Sequence, residues 1–400
     1  MRPTDEAQVL EAVQWAVSND APLDVVGQGS KRGLGRPSQT RATLDVSGLT
    51  GITLYEPEEL VLTARAGTPI AEIEAVLAEH GQEMQFEPMD YGPLHGHERG
   101  AGTIGGIVSC NLAGPRRLKA GAARDHVLGV RLVTGRGEAI KSGGRVVKNV
   151  TGYDLSKGVS GAFGTLGVLT EITIKVLPRA EHETTMVLRG LSDEAATVAM
   201  ARAMGSNAEV SGAAHLPERV AARVADGALG SASATLLRVE GFETSVAYRV
   251  GTLETLLVGT GADIDHVESE ASRALWRDVR DVVPFADGTQ RPVWRVSLAP
   301  SDGWRAVEAI RMGTGVDAFY DWQGGLVWMR MESEPEADAL RRITSRFGGQ
   351  AVLARAEPSV RASVPVMEPE PPALAALSAR LKEQFDPHGV LNPGRMVAGV

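Results

Sequence analysis

A single cysteine, Cys110, stands in a chain of 400 residues. One thiol excludes an intramolecular disulfide, a four-cysteine iron–sulfur cluster and a structural zinc site of the usual kind. Positive charge is short as well. The formal net charge is −9, so no basic stripe is on hand to meet the phosphates of a nucleic acid. No apolar run reaches the roughly 18 residues that cross a bilayer. The opening stretch MRPTDEAQVLEAVQWAVSND is acidic and amphipathic, reads as a helix rather than a signal peptide, and points to a cytoplasmic protein. Aromatic residues make up only 4% of the chain against 46 glycines. That pairing suits a loop-rich scaffold around a ligand more than a helix bundle.

With 43% hydrophobic residues, the chain can bury a large core and divide into two or three domains. Residues 1–180 read as short strands with few helices. Strands are expected at Leu23–Val26, Ala42–Val46, Leu60–Arg65, Val127–Thr134 and Leu169–Val176. Helices are expected over Glu6–Val17 and, with Thr68 as N-cap, over Pro69–Glu79. From 181 to 367 the strands Thr184–Leu188, Ala234–Val239, Val293–Leu298, Val316–Tyr320, Leu326–Met331 and Ala351–Ala354 interleave with helices. Those helices are Asp193–Ala203, Thr244–Leu257, Glu270–Val282, Gly303–Arg311 and Pro335–Phe347. The pattern is that of an α+β layer, an antiparallel sheet covered by helices. Residues 368–400 read as a Pro/Glu linker, a last helix Ala373–Gln384 and a Pro/Gly-rich tail. The tryptophans at 276, 294, 304, 322 and 328 read as core of the second region.

The segment DVVGQGSKRGLG, residues 24–35, approaches a dinucleotide fingerprint, with Asp45 where a ribose-binding acid is looked for. That fingerprint needs a helix directly after the glycines, because the pyrophosphate rests on the helix N-terminus. Gly33, Gly35 and Pro37 leave no room for one. Two readings of the loop remain. It is either an anion nest of backbone N–H groups with Lys31 and Arg32 at its mouth, or a plain surface turn. Two further glycine-rich stretches follow, GAGTIGGIVSCNLAG (100–114) and SKGVSGAFGTLGVLTEITIKV (156–176), with SGGRVVKNVTGYDLSKG (142–158) between them. A large elongated cofactor across a loop-rich domain would give all of them one purpose.

GTIGG with its downstream NLAG, GRVVKNVTGYDLSKG and FGTLGVLTEITIKVLP resemble the FAD-binding domain of vanillyl-alcohol-oxidase-type, FAD-linked oxidases. Within that family, GPRR at 114–117, AGAARDH at 120–126 and FDPHGVLNPGRM at 385–396 are similar to the FAD-binding subunit of bacterial glycolate oxidase. The resemblance implies a two-subdomain FAD-binding domain over 1–180 and an α+β cap over 181–367. A C-terminal segment, 368–400, would return to the flavin. It places the pyrophosphate at Gly27, Gln28, Gly29, Ser30 and Lys31, with Asp45 an ordinary strand-end acid. Thr103, Ile104, Gly105 and Gly106 would run beside the flavin, and Asn111, Ala113 and Gly114 would close the other side. Gly167 and Val168 would offer main-chain groups, and Asn392 would come back to the ring. Its partners would be a catalytic FAD-linked oxidase subunit and an iron–sulfur subunit, through which the chain would reach the inner membrane peripherally.

Two departures from the family pattern matter. Where relatives attach FAD through a Gly-Gly-His run, this chain reads Gln28-Gly29-Ser30, which implies FAD held without a covalent bond. The metal-binding histidine runs of relatives that oxidise D-2-hydroxy acids are missing, and no metal is expected. Arg116, with Arg117, could fork a substrate carboxylate or pair with the acidic surplus, and Arg295 could face a wet cavity or solvent. No base is evident. His95 and His97 read as solvated loop histidines and His126 as a strand cap. The expected function is the FAD-binding subunit of a complex oxidising glycolate to glyoxylate. The rivals are a non-catalytic assembly subunit and a stand-alone FAD-dependent 2-hydroxy-acid dehydrogenase.

Overall fold

The structure, a computed structural model, describes residues 1–147 and 153–399. The middle of GRVVKNVTGYDLSKG, residues 148–152, lies outside them. The chain is α+β. Leu23–Val26 pairs in parallel with Ala42–Asp45. Beside that pair lies a five-stranded antiparallel sheet, in the order Ile52–Glu56, Val61–Arg65, Val168–Lys175, Val127–Val133, Ala139–Gly143. Its edge strands, Ile52–Glu56 and Ala139–Gly143, carry exposed polar residues and escaped the pattern reading, whereas the central ones are largely buried. The helices Glu6–Ser18 and Ile104–Cys110 pack against it. The first starts at Asp5, whose side chain accepts from the Gln8 N–H at 2.8 Å. The second helix of the region, Ile70–Glu79, departs from expectation at its start. Pro69 occupies the cap position, and Thr68 Oγ1 instead donates to the Arg65 carbonyl at 2.7 Å.

Residues 182–355 build an eight-stranded antiparallel sheet. Its order is Asp263–Glu268, His182–Arg189, Ala234–Gly241, Gly212–Leu216, Val316–Asp321, Leu326–Met331, Val293–Ser297, Gln350–Arg355. Strand alternation turns successive side chains to opposite faces of this sheet. Met186, Leu188, Ala213 and Leu237 face the helices Asp193–Met204 and Glu243–Leu257. Val187, Ala214 and Leu236 turn the other way, into a core shared with Phe86, Tyr91, Ile104 and Val108 of the first region. Trp276, Trp294, Trp322 and Trp328 are buried as expected, and Trp304 is half-buried. The two halves of this sheet meet through one residue pair, His215 and Tyr320.

The last helix, Pro372–Phe385, is exposed along nearly all its length and buries only Lys382. That ammonium donates to the Thr165 and Leu391 carbonyls at 2.8 and 3.0 Å and to Asp386 Oδ2 at 2.6 Å. Leu391 then forms a parallel bridge with Leu23, which returns the tail to the glycine loop.

Candidate functional site

Leu23–Val26 ends in the loop Gly27–Arg32, which closes by turn bonds, Arg32 N–H to Gly29 carbonyl and Leu34 N–H to Lys31 carbonyl, both 3.0 Å. No helix follows it. Gly27 is pressed against Thr103, whose Oγ1 would lie 2.7 Å from a β-carbon there. Thr103 caps the Ile104–Cys110 helix by accepting from the Gly106 N–H at 3.2 Å. Together with Phe163–Gly164, Gly167–Leu169 and the returning tail, these loops line an open cleft.

Gly27, Gln28, Gly29, Ser30, Lys31, Thr103, Gly105, Gly106, Gly167, Val168 and Asn392 all line it. Four expected residues do not. Ile104 is fully buried in the core, and Asn111 ends its helix in the left-handed conformation while accepting from the Arg124 N–H at 3.0 Å. Ala113 and Gly114 lie beyond that turn, with Gly114 tight between Glu87 and Arg280. The left-handed turn at Asn111 carries the chain away from the cleft. Asn392 lines the cleft but commits its amide to the fold: Oδ1 accepts from Val25 N–H and Nδ2 donates to the Phe163 carbonyl, both 2.8 Å. Arg395 was not foreseen. It reaches back to donate to the Lys31 carbonyl at 3.0 Å, a contact between residues far apart in the chain.

The electrostatics of the cleft are one-sided. Lys31 Nζ has only Ser30 Oγ near, at 3.3 Å, and pairs with no carboxylate among the described residues. Burial pushes its ammonium below the usual lysine range, and burial does the same to the Arg395 guanidinium. Burial pushes the Cys110 thiol, also in the cleft wall, upward.

The two substrate candidates fare differently. Arg116 is half-buried among four carboxylates: it binds Glu240, and its Nη1 lies 3.3 Å from Glu83 and 3.6 Å from Glu87, with Glu183 at 3.8 Å. It is fully paired and holds the first region to the cap. Arg295 makes no ion pair or hydrogen bond among the described residues; it stacks over Trp322, 5.0 Å from the ring centroid. Tyr91 is fully buried, and burial pushes its hydroxyl up to about 12 against the charge of Arg295. Of the histidines, His97 is exposed. His95, expected in solvent, has a buried Nε2 without a partner, and its pKa falls to about 3 because burial and the Arg361 and Arg355 charges oppose protonation. His126 is buried and bonds the Ala120 carbonyl at 2.8 Å. Among the described residues no three metal-ligating side chains converge.

The family model for an FAD binding domain matches residues 1–143. The chain is similar to the glycolate oxidase subunit GlcE of Escherichia coli (strain K12), 38% identical over the whole of this chain and 99% of that one. It is similar over 99% of its length, at 24% identity, to a D-lactate dehydrogenase of Archaeoglobus fulgidus, covering 90% of it. An 85-residue stretch, 21% of this chain and 18% of its counterpart, is 42% identical to the glycolate oxidase subunit GlcD of Bacillus subtilis. Among solved structures, p-cresol methylhydroxylase with substrate bound superposes with a TM-score of 0.73 at 14% identity, over 100% of this chain and 88% of that one. The chain belongs to the vanillyl-alcohol-oxidase-type, FAD-linked oxidases.

This oxidase is an FAD-dependent oxidoreductase, and its cleft fits the cofactor. Among the described residues Lys31 and Arg395 form no ion pair, and they stand beside a loop whose Gly27 tolerates no side chain and whose Gly29 needs φ +80°. Such a site suits a diphosphate, which supplies the missing charge and accepts from the loop's N–H groups.

Proposed function

We propose that this chain is the FAD-binding subunit of a glycolate-oxidase-like complex that oxidises a small 2-hydroxy acid to the 2-oxo acid. Glycolate is the smallest member of that class and glyoxylate its product. The observation that carries the reading is the 38% identity over the whole chain to a glycolate oxidase subunit, beside which stands Arg295, unpaired among the described residues. FAD, when bound, supplies the two-electron acceptor. Residues 1–180 hold it, 181–367 cover it and 368–400 return to it. Gly27–Lys31 take the diphosphate, Thr103, Gly105 and Gly106 run along the flavin, and Gly167 and Val168 offer main-chain groups. Arg295, not Arg116, meets the substrate carboxylate.

The cofactor is held without a covalent bond: no histidine lines the cleft, and the Cys110 thiol stays protonated because burial raises its pKa. Electrons leave through a second FAD-linked oxidase subunit and an iron–sulfur subunit, since one cysteine cannot hold a cluster. Likeness to chains named as two different glycolate oxidase subunits supports a multi-subunit assembly. No helix among the described residues is long and apolar enough to cross a membrane, so contact with the inner membrane would run through the partners and the chain itself would lie in the cytoplasm.

The test is anaerobic mixing of the isolated FAD-loaded chain with D- and L-2-hydroxy acids while following flavin bleaching. Slow bleaching alone, and turnover on co-expression with the two partner subunits, is expected. Fast bleaching by the isolated chain would replace the subunit reading with a self-sufficient dehydrogenase. In a companion experiment, acid precipitation should leave the flavin in the supernatant.

A further inference from the structure

We propose that Arg117 and Arg295, stacked together on Trp322, select 2-hydroxy acids that carry a second anionic group over monoanionic glycolate. The inference rests on the 2-hydroxy-acid reading above and narrows its substrate class. The Arg117 guanidinium carbon lies 4.5 Å from the Trp322 ring centroid and that of Arg295 lies 5.0 Å from it. Among the described residues neither side chain makes a hydrogen bond or an ion pair. Other inward-facing arginines of this chain do: Arg116 and Arg238 share Glu87 and Glu240, and Arg280 binds Asp281.

Two half-buried guanidiniums on one indole repel each other, and stacking offsets little of their lost hydration. Burial lowers the proton affinity of both. Two carboxylates act on them without pairing, Asp125 on Arg117 and Asp321 on Arg295. Asp321 is buried, its Oδ1 accepts from the Trp322 N–H at 2.7 Å, and burial pushes it up to about 7, so it is only partly ionised at neutral pH.

The indole is held in place at a cost. Trp322 and Gln323 both adopt left-handed backbone, φ 50° and 64°, which bulky side chains rarely occupy. Trp322 Nε1 donates to the Gly114 carbonyl at 3.0 Å, fixing the ring to the turn that leads into Arg117. The pair stands on the core that also backs the FAD cleft. Tyr91 packs against Trp328, 6.1 Å between ring centroids, Trp328 is the cross-strand partner of Arg295, and Cys110 of the cleft wall packs against that same core. Arg295 serves the carboxylate next to the reacting carbon, and Arg117 the second group. A monoanion leaves one cation unpaired, whereas a dianion satisfies both.

The experiment titrates the full FAD-loaded chain, anaerobically, with glycolate, tartronate and D- and L-malate, reading the perturbation of flavin absorbance. Tartronate or malate should bind about tenfold or more tighter than glycolate. Arg117→Gln should erase that advantage while leaving the glycolate Kd within about threefold, and Arg295→Gln should weaken every acid. Arg117→Lys, which keeps the charge but loses the fork, should fall between, and stands in for the glutamine variant if that one does not fold. Tighter binding of glycolate in the unsubstituted protein, or equal weakening of all acids by Arg117→Gln, would overturn the proposal. If no acid of either charge perturbs the flavin, the 2-hydroxy-acid reading falls with it.

Discussion

Gly29 has φ +80°, and a β-carbon there would meet nothing closer than Arg32 Cδ at 3.6 Å. Valine at this position is therefore rejected by the backbone and not by lack of space. At Gly27 the reason is the reverse, a collision with Thr103. Gly29→Val and Gly27→Val are both expected to strip the purified protein of flavin, read as the ratio of visible to ultraviolet absorbance. Asp45→Ala should leave that ratio unchanged, because its carboxylate is engaged by the Ser47 N–H at 2.9 Å and by Arg2 at 3.8 Å. Flavin lost on Asp45→Ala but kept on Gly29→Val would revive a dinucleotide fold. Lys31 gives a pH signature. Without an anion beside it, burial lowers its pKa from 10.5; a diphosphate holds the proton on and raises it again. FAD affinity is thus highest below the lowered pKa and falls as pH rises through it. Equilibrium dialysis over a rising pH series should show that limb, and Lys31→Met should weaken binding and flatten it. The glycine loop was legible because breakers at fixed spacing forbid a helix whatever the tertiary context. Arg395 was not, since nothing local ties it to Lys31.

Among the elements, the exposed helix Pro372–Phe385 is a strut with one anchor. Lys382 and Asp386 are buried together, and Asp386 also accepts from the Val390 and Leu391 N–H groups at 3.0 and 2.8 Å. Lys382→Met would leave that carboxylate unpaired and is expected to cost about 3–5 kcal/mol. Loss of stability by urea unfolding, with flavin retention falling as the Asn392 tail loosens, would bear this out; an unchanged midpoint would not. Beside the eight-stranded sheet, Asp193 is held at about 2 against the effect of its burial by the His215 ring 3.3 Å away, by a hydrogen bond from Tyr320 and by the charge of Arg311. A depressed carboxylate stabilises above its ordinary pKa of 3.8, and the gain is lost as pH falls toward about 2. The shift corresponds to about 2 kcal/mol at neutral pH. Asp193→Asn should remove that amount at pH 7, and the two proteins should converge in stability near the acid end. Long periodic helices were read to within a residue or two. The strands Gly212–Leu216 and Asp263–Glu268 were missed, one for lack of β-branched residues and the other because it is a polar edge.

The whole molecule is joined by an ionic seam. Glu87 of the first region receives Arg238 of the cap at 2.7 Å, while Arg116 reaches across to Glu240. Arg238, only 1% exposed, is held charged by Glu87 and Glu240 against the cost of burial. Glu87→Ala is expected to destabilise by about 3–5 kcal/mol, because it leaves that guanidinium buried and short of a partner. Calorimetry should show one cooperative transition giving way to two as the cap loosens; a single transition at the original temperature would mean that the shared apolar core alone holds the halves together.

Taken alone, the sequence determined the features that depend on local chemistry. Breakers ruled out a Rossmann helix, glycine-rich loops marked the cofactor cleft, alternation marked an antiparallel cap, and one cysteine excluded a cluster. Tertiary structure decided what depends on residues distant in the chain. Arg116 faces four carboxylates and is spent on the seam, whereas Arg295 and Arg117 share one indole and form no ion pair among the described residues. Whether an arginine is a strut or a ligand depends on which carboxylates the fold brings within reach, and that distance is not written in any local run of residues.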